Sequence, residues 1–188
     1  MADRRLTGIL LVGGPSRRFG SPKALARLGG ETLAERAWRL LGEVSEERIA
    51  VGKAAAGLPL PFPLLEDGTT TQAPLAGLVA GLRAATTELA VVVPVDCPLV
   101  RAEDLLRLAD ACRDAAVPQT GPLPGAYRRS ALAALEPALR EGRLSLKEAI
   151  SSLAVATVEL PPERLANVNS PADLTAVAEL EAGPAGPV

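Results

Sequence analysis

The sequence predicts an α/β domain built on an open, mostly parallel central sheet flanked by helices. Three observations carry that prediction. Short apolar runs end abruptly in glycine or aspartate, stretches with helical spacing alternate with them, and no linker divides the 188 residues. A chain of this length can bury one continuous core, so a single domain is expected over 1–188, with 181–188 as a frayed tail.

The elements follow in order. Residues 6–12, LTGILLV, read as a buried strand stopped by Gly13 and Gly14. Residues 31–41 read as an amphipathic helix with Thr32 as its cap and Gly42 as its stop. A second strand is expected at 48–51 and a third, isolated by prolines, at 62–65. Residues 74–85 have helical spacing, with Pro74 in the first turn where its missing N–H costs little. The stretch ELAVVVPVD, 88–96, is the strongest strand signal, and Pro94 implies an irregular finish. Beyond it come a helix at 102–113, strands at 115–118 and 122–127, helices at 129–141 and 145–152, an extended segment at 154–159 and a last helix at 171–181. Right-handed crossovers, and a ligand site beyond the carboxyl ends of the strands, follow from this order.

Composition excludes several chemistries. The chain has no histidine, which removes a Ser-His-Asp triad and most zinc sites. Its two cysteines, Cys97 and Cys112, show no metal-ligand spacing, so a bound metal would rest on oxygen ligands, as Mg²⁺ prefers. A net charge of −2 and 2% aromatic residues argue against nucleic acid as a partner. No apolar run is long enough to span a membrane and no signal peptide is evident, so a cytoplasmic protein is expected. Arginines outnumber lysines 17 to 3, and Asn167 and Asn169 are the two asparagines, which singles out each retained Lys and Asn.

The loop after the first strand concentrates Gly13, Gly14, Arg17, Arg18, Gly20 and Lys23 within eleven residues. Glycines let backbone N–H groups approach phosphate oxygens, and the cations neutralise them. The spacing is neither that of a Walker A loop nor G-x-G-x-x-G. A glycine-rich turn with solvated cations is the plainer alternative. Other residues stand out with plain alternatives of their own. Asp96 ends a strand but could cap a turn. Asp67 sits in a turn-like LLEDG. Asn167 and Asn169 point the same way if extended, but Asx-turn geometry would serve equally. Tyr127 suits a core or a site, and Cys97 reads as a small buried residue.

The pattern L-x-G-G-x-S-x-R-x-G-x-x-K over 11–23 resembles the signature of nucleotidyltransferases with a Rossmann-like fold. Within them it most resembles the molybdenum cofactor guanylyltransferases. EDGTTTQAPLAGLVAGL (66–82), VVPVDCPLV (92–100), GPLPGAYRRSALAALEPALREG (121–142) and ANVNSPADL (166–174) are similar to further family segments, in family order. The resemblance implies transfer of GMP from GTP to the molybdopterin cofactor with Mg²⁺, releasing pyrophosphate. It implies that Leu11, Val12, Gly13 and Gly14 contact the nucleotide, that Arg18 faces its phosphates, and that Lys23 stabilises charge on the pyrophosphate. It further places Mg²⁺ on Asp96, guanine on Asp67, and Asn167 and Asn169 near the metal or the second substrate, with molybdoenzyme-maturation proteins as further partners.

Three positions depart from the family pattern: Pro22 stands where Asp is common, Ala73 where Gly precedes P-L-A-G, and Gly52-Lys53 about where a nucleotide-binding Asn is frequent. With no Asn there, base recognition is expected to rest on backbone. The alternatives are a related enzyme using CTP or another phosphate acceptor, and a nucleotide-binding protein without turnover.

Overall fold

Strand β1 (Leu6–Leu11) is flanked on one edge by β4 (Glu47–Gly52) and on the other by β6 (Leu89–Pro94), both parallel to it. A computed structural model describes residues 5–13, 19, 22–53 and 57–182. Beyond β4 lies β5 (Leu64–Glu66). Beyond β6 come β8 (Gly125–Arg128), β7 (Ala115–Pro118) and β9 (Val155–Val158). All neighbours in this seven-stranded sheet run parallel except that β8 is antiparallel to both β6 and β7. The expected mostly parallel sheet flanked by helices is therefore the one observed.

Helices cover both faces, which is why the strands read as unbroken apolar runs instead of alternating ones. Leu6 and Leu10 of β1 and Val91 and Val93 of β6 join a core with α1 (Leu33–Val44), α3 (Ala102–Ala111) and Val177 of α6 (Pro171–Ala182). Their neighbours Ile9, Leu11, Ala90 and Val92 point the other way. They join a second core with α2 (Pro74–Ala84), α4 (Leu132–Arg140) and α5 (Leu146–Ala149). Tyr127 is wholly buried in that second core, which settles it as a core residue.

Several boundaries differ from expectation for identifiable reasons. Thr32 caps α1 as expected: its hydroxyl accepts from Glu35 N at 3.1 Å while Glu35 Oε2 accepts from Thr32 N at 2.8 Å. Gly42 does not end that helix. The helix continues to Val44, and Ser45 closes it by donating from both N and Oγ to the Leu41 carbonyl. Phe62 lies outside β5 because it stacks on Trp38, ring centroids 4.2 Å apart. Pro122 and Pro124 keep residues 122–124 out of the β8 ladder. The 145–152 helix is a single turn, α5, and residues 129–131 form a 3-10 turn before α4. A two-stranded ladder of β2 (Arg27–Leu28) and β3 (Glu31–Thr32) was not expected. Residues 183–188 of the expected tail lie outside the described residues, and α6 extends to Ala182.

Helix α2 approaches β1 closely because it presents glycines to it. A Cβ on Gly81 would lie 2.7 Å from Cγ2 of Ile9, and one on Gly77 would lie 3.0 Å from Cδ2 of Leu11. Gly81→Val should overpack this contact and lower stability by about 1–3 kcal/mol, seen as a fall in Tm by circular dichroism. An unchanged Tm would mean that α2 does not depend on that close approach.

Candidate active site

Strand order reverses at β1, since the chain passes from β1 to β4 on one side and later to β6 on the other. In open α/β sheets a crevice forms at such a reversal, outside the carboxyl ends of the strands. A cavity of about 960 Å³ lies there. Its floor is the ends of β1, β4 and β6, locked together by Val12 N donating to Val51 O (2.8 Å) and Val95 N to Leu11 O (3.0 Å). Leu11, Val12 and Gly13 line it, as do Asp67, Ala73, Asp96, Asn167 and Asn169. Gly13 is exposed, and a Cβ there would meet nothing within 4 Å, so backbone is accessible from the cavity. Gly14 and Arg18, also expected at the site, lie outside the described residues.

Three segments distant in sequence meet at one ammonium group. Lys23, on a short 3-10 turn over Lys23–Leu25, donates from Nζ to Asp96 Oδ2 at 3.1 Å and to Asn169 Oδ1 at 2.8 Å. Asp96 stands two residues beyond β6, and its carbonyl accepts from Val168 N at 2.8 Å, pinning the asparagine segment alongside. Asn167 and Asn169 face the same cavity, as an extended segment requires. Neither side chain makes the turn into α6. Ser170 Oγ accepts from Asp173 N at 3.2 Å, and the Asp173 carboxylate accepts from Asn169 N at 2.8 Å. That backbone hydrogen bond holds the Asp173 carboxyl below the usual carboxylate range.

A second layer fixes these segments. Cys97, 4% exposed, points its thiol at Asn167 Oδ1, 2.9 Å away. Burial pushes the thiol well above its ordinary range, so it stays protonated and can donate to the amide oxygen. Arg36 on α1 donates to the Pro98 carbonyl at 2.9 Å and pairs with Glu181, joining the loop after Asp96 to both α1 and α6. Asp104 on α3 is fully buried. It accepts from Arg164 at 2.9 Å and from Arg101 N at 3.0 Å, which anchors the turn that leads into Asn167.

Lys53 was not expected to contribute its side chain. It lines the cavity, and its Nζ donates to Asp67 Oδ1 at 2.6 Å. The scarcity of lysine against arginine was the one signal that could have found it. Electrostatically, the cavity pairs two ammonium groups with two carboxylates. Both signs are thus balanced before a ligand enters, and a polyanion must bring or recruit further positive charge. Such a site suits displacement at phosphorus, which depends on positioning and charge neutralisation more than on a protein base. A cation at the first loop, a carboxylate across the strand reversal and a nucleotide-sized cavity define an α/β nucleotidyltransferase.

Comparison with known proteins gives the family. The model of the MobA-like NTP transferase domain matches residues 8–157. A relative from Chloroflexus aggregans, named "Probable molybdenum cofactor guanylyltransferase", is 35% identical over 195 residues, covering 92% of this chain and 93% of the relative. One of the same name from Opitutus terrae is 36% identical over 186 residues, covering 89% and 92%. The crystal structure of molybdopterin-guanine dinucleotide biosynthesis protein A from Archaeoglobus fulgidus superposes with a TM-score of 0.79. It is 24% identical and covers 94% of this chain and 98% of that one. The chain belongs to the MobA-like NTP transferase family. None of its described helices is long and apolar enough to cross a membrane.

The buried thiol yields a direct test. At about pH 8, where an ordinary exposed thiol reacts readily, Cys97 should resist a thiol-specific reagent in the native Cys112→Ala variant and react at once in denaturant. Fast native labelling would overturn its burial and its hold on Asn167.

Proposed function

We propose that the chain transfers GMP from GTP to the molybdopterin cofactor, forming molybdopterin guanine dinucleotide and pyrophosphate. The observation that carries this reading is the convergence of Lys23, Asp96 and Asn169 within hydrogen-bond distance across the strand reversal, in a cavity also lined by Asp67. The relatives named guanylyltransferases over nearly their whole length support it.

In the proposed reaction a phosphate oxygen of molybdopterin attacks the α-phosphorus of GTP. The bond from that phosphorus to the bridging oxygen breaks, and its electron pair leaves with pyrophosphate. Backbone at Leu11, Val12, Gly13 and Gly14 would hold the nucleotide, with Arg18 at its phosphates. Lys23 sits where its ammonium can shift from Asp96 and Asn169 to the charge growing on the departing pyrophosphate. Asp67 would accept hydrogen bonds from guanine N1–H and its 2-amino group, while Asn167 and Asn169 would face the acceptor. Because the attacking group is already an ionised phosphate, no general base is required, which accords with a chain that has no histidine. Transfer is direct, without a covalent enzyme intermediate. Isolation of a GMP–enzyme adduct would refute that step.

The donor set fits Mg²⁺. Asp96 offers a carboxylate and Asn167 and Asn169 amide oxygens, all hard donors. No group of three or more His, Cys, Asp or Glu forms a closed cage among the described residues. Mg²⁺ commonly takes one or two carboxylates together with substrate phosphates and waters. When bound, it would neutralise charge on the phosphate oxygens around the reacting phosphorus.

Calorimetry with GTP, CTP and ATP, each with and without Mg²⁺, tests the reading. Selective, Mg²⁺-enhanced GTP binding is expected, and preference for CTP would overturn the guanine assignment. Asp96→Ala should cut turnover by about a hundredfold or more with an unchanged circular dichroism spectrum. Asp67→Ala should relax the choice of base while triphosphate binding persists. Full turnover by Asp96→Ala would remove that carboxylate from the chemistry.

A further inference from the structure

We propose that Lys53 is a positioning residue that sets base selectivity by holding Asp67 in one orientation at the cavity wall. The proposal rests on the reading of Asp67 as the carboxylate that meets the base.

Four acceptors converge on the Lys53 ammonium: Asp67 Oδ1 at 2.6 Å, the Thr69 carbonyl, Thr69 Oγ1 at 3.1 Å and the Thr71 carbonyl at 2.8 Å. An ammonium has three N–H donors, so these acceptors use all of them and none remains for a ligand. Lys53 thus acts on the base through its neighbours. Its partner oxygen is equally committed. Asp67 Oδ1 also accepts from Thr69 N at 3.0 Å and lies 3.3 Å from the Thr69 hydroxyl. Oδ2 takes part in none of these bonds. With its side chain only 7% exposed, Asp67 is fixed in which oxygen it spends on the protein and which it keeps for a ligand.

A carboxylate oxygen held this way selects by sign. A base edge that presents two N–H groups finds an acceptor already in place. An edge that presents a ring-nitrogen acceptor meets a negative oxygen that cannot turn away. The residue type fits the task as well. Acceptors converging on a point need the compact ammonium of lysine, which the planar fork of arginine cannot imitate. In a chain with 17 arginines and 3 lysines, the retention of lysine here agrees with that need.

The test uses the full chain with calorimetric titration of GTP, ATP and CTP in Mg²⁺. Lys53→Met should lower the preference for GTP over ATP by about tenfold, the weight of one misplaced hydrogen bond to a charged group. ATP affinity should be unchanged, since the phosphates are held elsewhere. Lys53→Arg keeps a cation beside Asp67 and so protects the fold if Lys53→Met does not fold. It should show the same loss of preference. An unaltered GTP-to-ATP ratio in the folded variants, or an equal loss for all three nucleotides, would overturn the proposal. The wild-type protein separates this from the guanine reading. If it prefers CTP, whose ring N3 is an acceptor like N1 of adenine, both fail; if it prefers GTP while the folded variants keep that preference, the Lys53 proposal alone fails. If it prefers no base, both fail.

Discussion

Strand β1 hydrogen-bonds in parallel to β4 along one edge and to β6 along the other, in unbroken register from Leu6 to Leu11 on the β6 side. Everything at the cavity takes its position from that double pairing. It brings the ends of three strands to one level, sends the chain away in opposite directions, and so opens a crevice that no side chain of the sheet can fill. Helices on both faces keep the three strands rigid, and the close seat of α2 on Ile9 and Leu11 carries Ala73 and Pro74 to the rim. The loops that supply charge then need only modest reach.

What those loops supply is paired charge. Lys23 rests against Asp96 and Asn169, and Lys53 against Asp67, so each ammonium in the cavity has a carboxylate at hand before any ligand arrives. The two pairs differ in kind. Lys23 lies between segments that the sheet brings together from opposite sides of the reversal. Lys53 is enclosed by a local turn of threonines two and four residues beyond its carboxylate. The first arrangement ties distant segments to one cation. The second holds a shape.

Much of this was legible in the sequence. The apolar runs and their glycine and aspartate stops located β1, β4 and β6, because strands buried on both faces cannot conceal their hydrophobicity, whereas the reversal at β1 is set by which strands pair. Asp96 stood out as the end of such a run, Lys23 by its place in the glycine-rich loop, and Asp67 and the two asparagines through the family resemblance and the scarcity of asparagine. The antiparallel setting of β8 was not legible, since the direction of a four-residue strand is decided by its partners and not its composition. Gly42 misled for a related reason: a glycine inside a helix reads as a stop, yet the helix runs on to Val44 with the guanidinium of Arg48 packed against that glycine. Lys53 resembled any solvated lysine after a strand. Asp104, in the first turn of α3, resembled an ordinary helix-end acid, and nothing nearby in sequence announced Arg164, sixty residues on, as its partner.

The span of the chain gathered at Lys23 has a consequence for synthesis. Lys23 and Asn169 lie 146 residues apart, so a ribosome must deliver all of the intervening chain before these groups can meet. A nascent chain with β1, β4 and α1 complete already carries Gly13 and Lys23, yet it lacks the opposing carboxylate and amide. The cluster thus comes together only once Asn169 has emerged, and fragments that stop before it lack the assembled contacts.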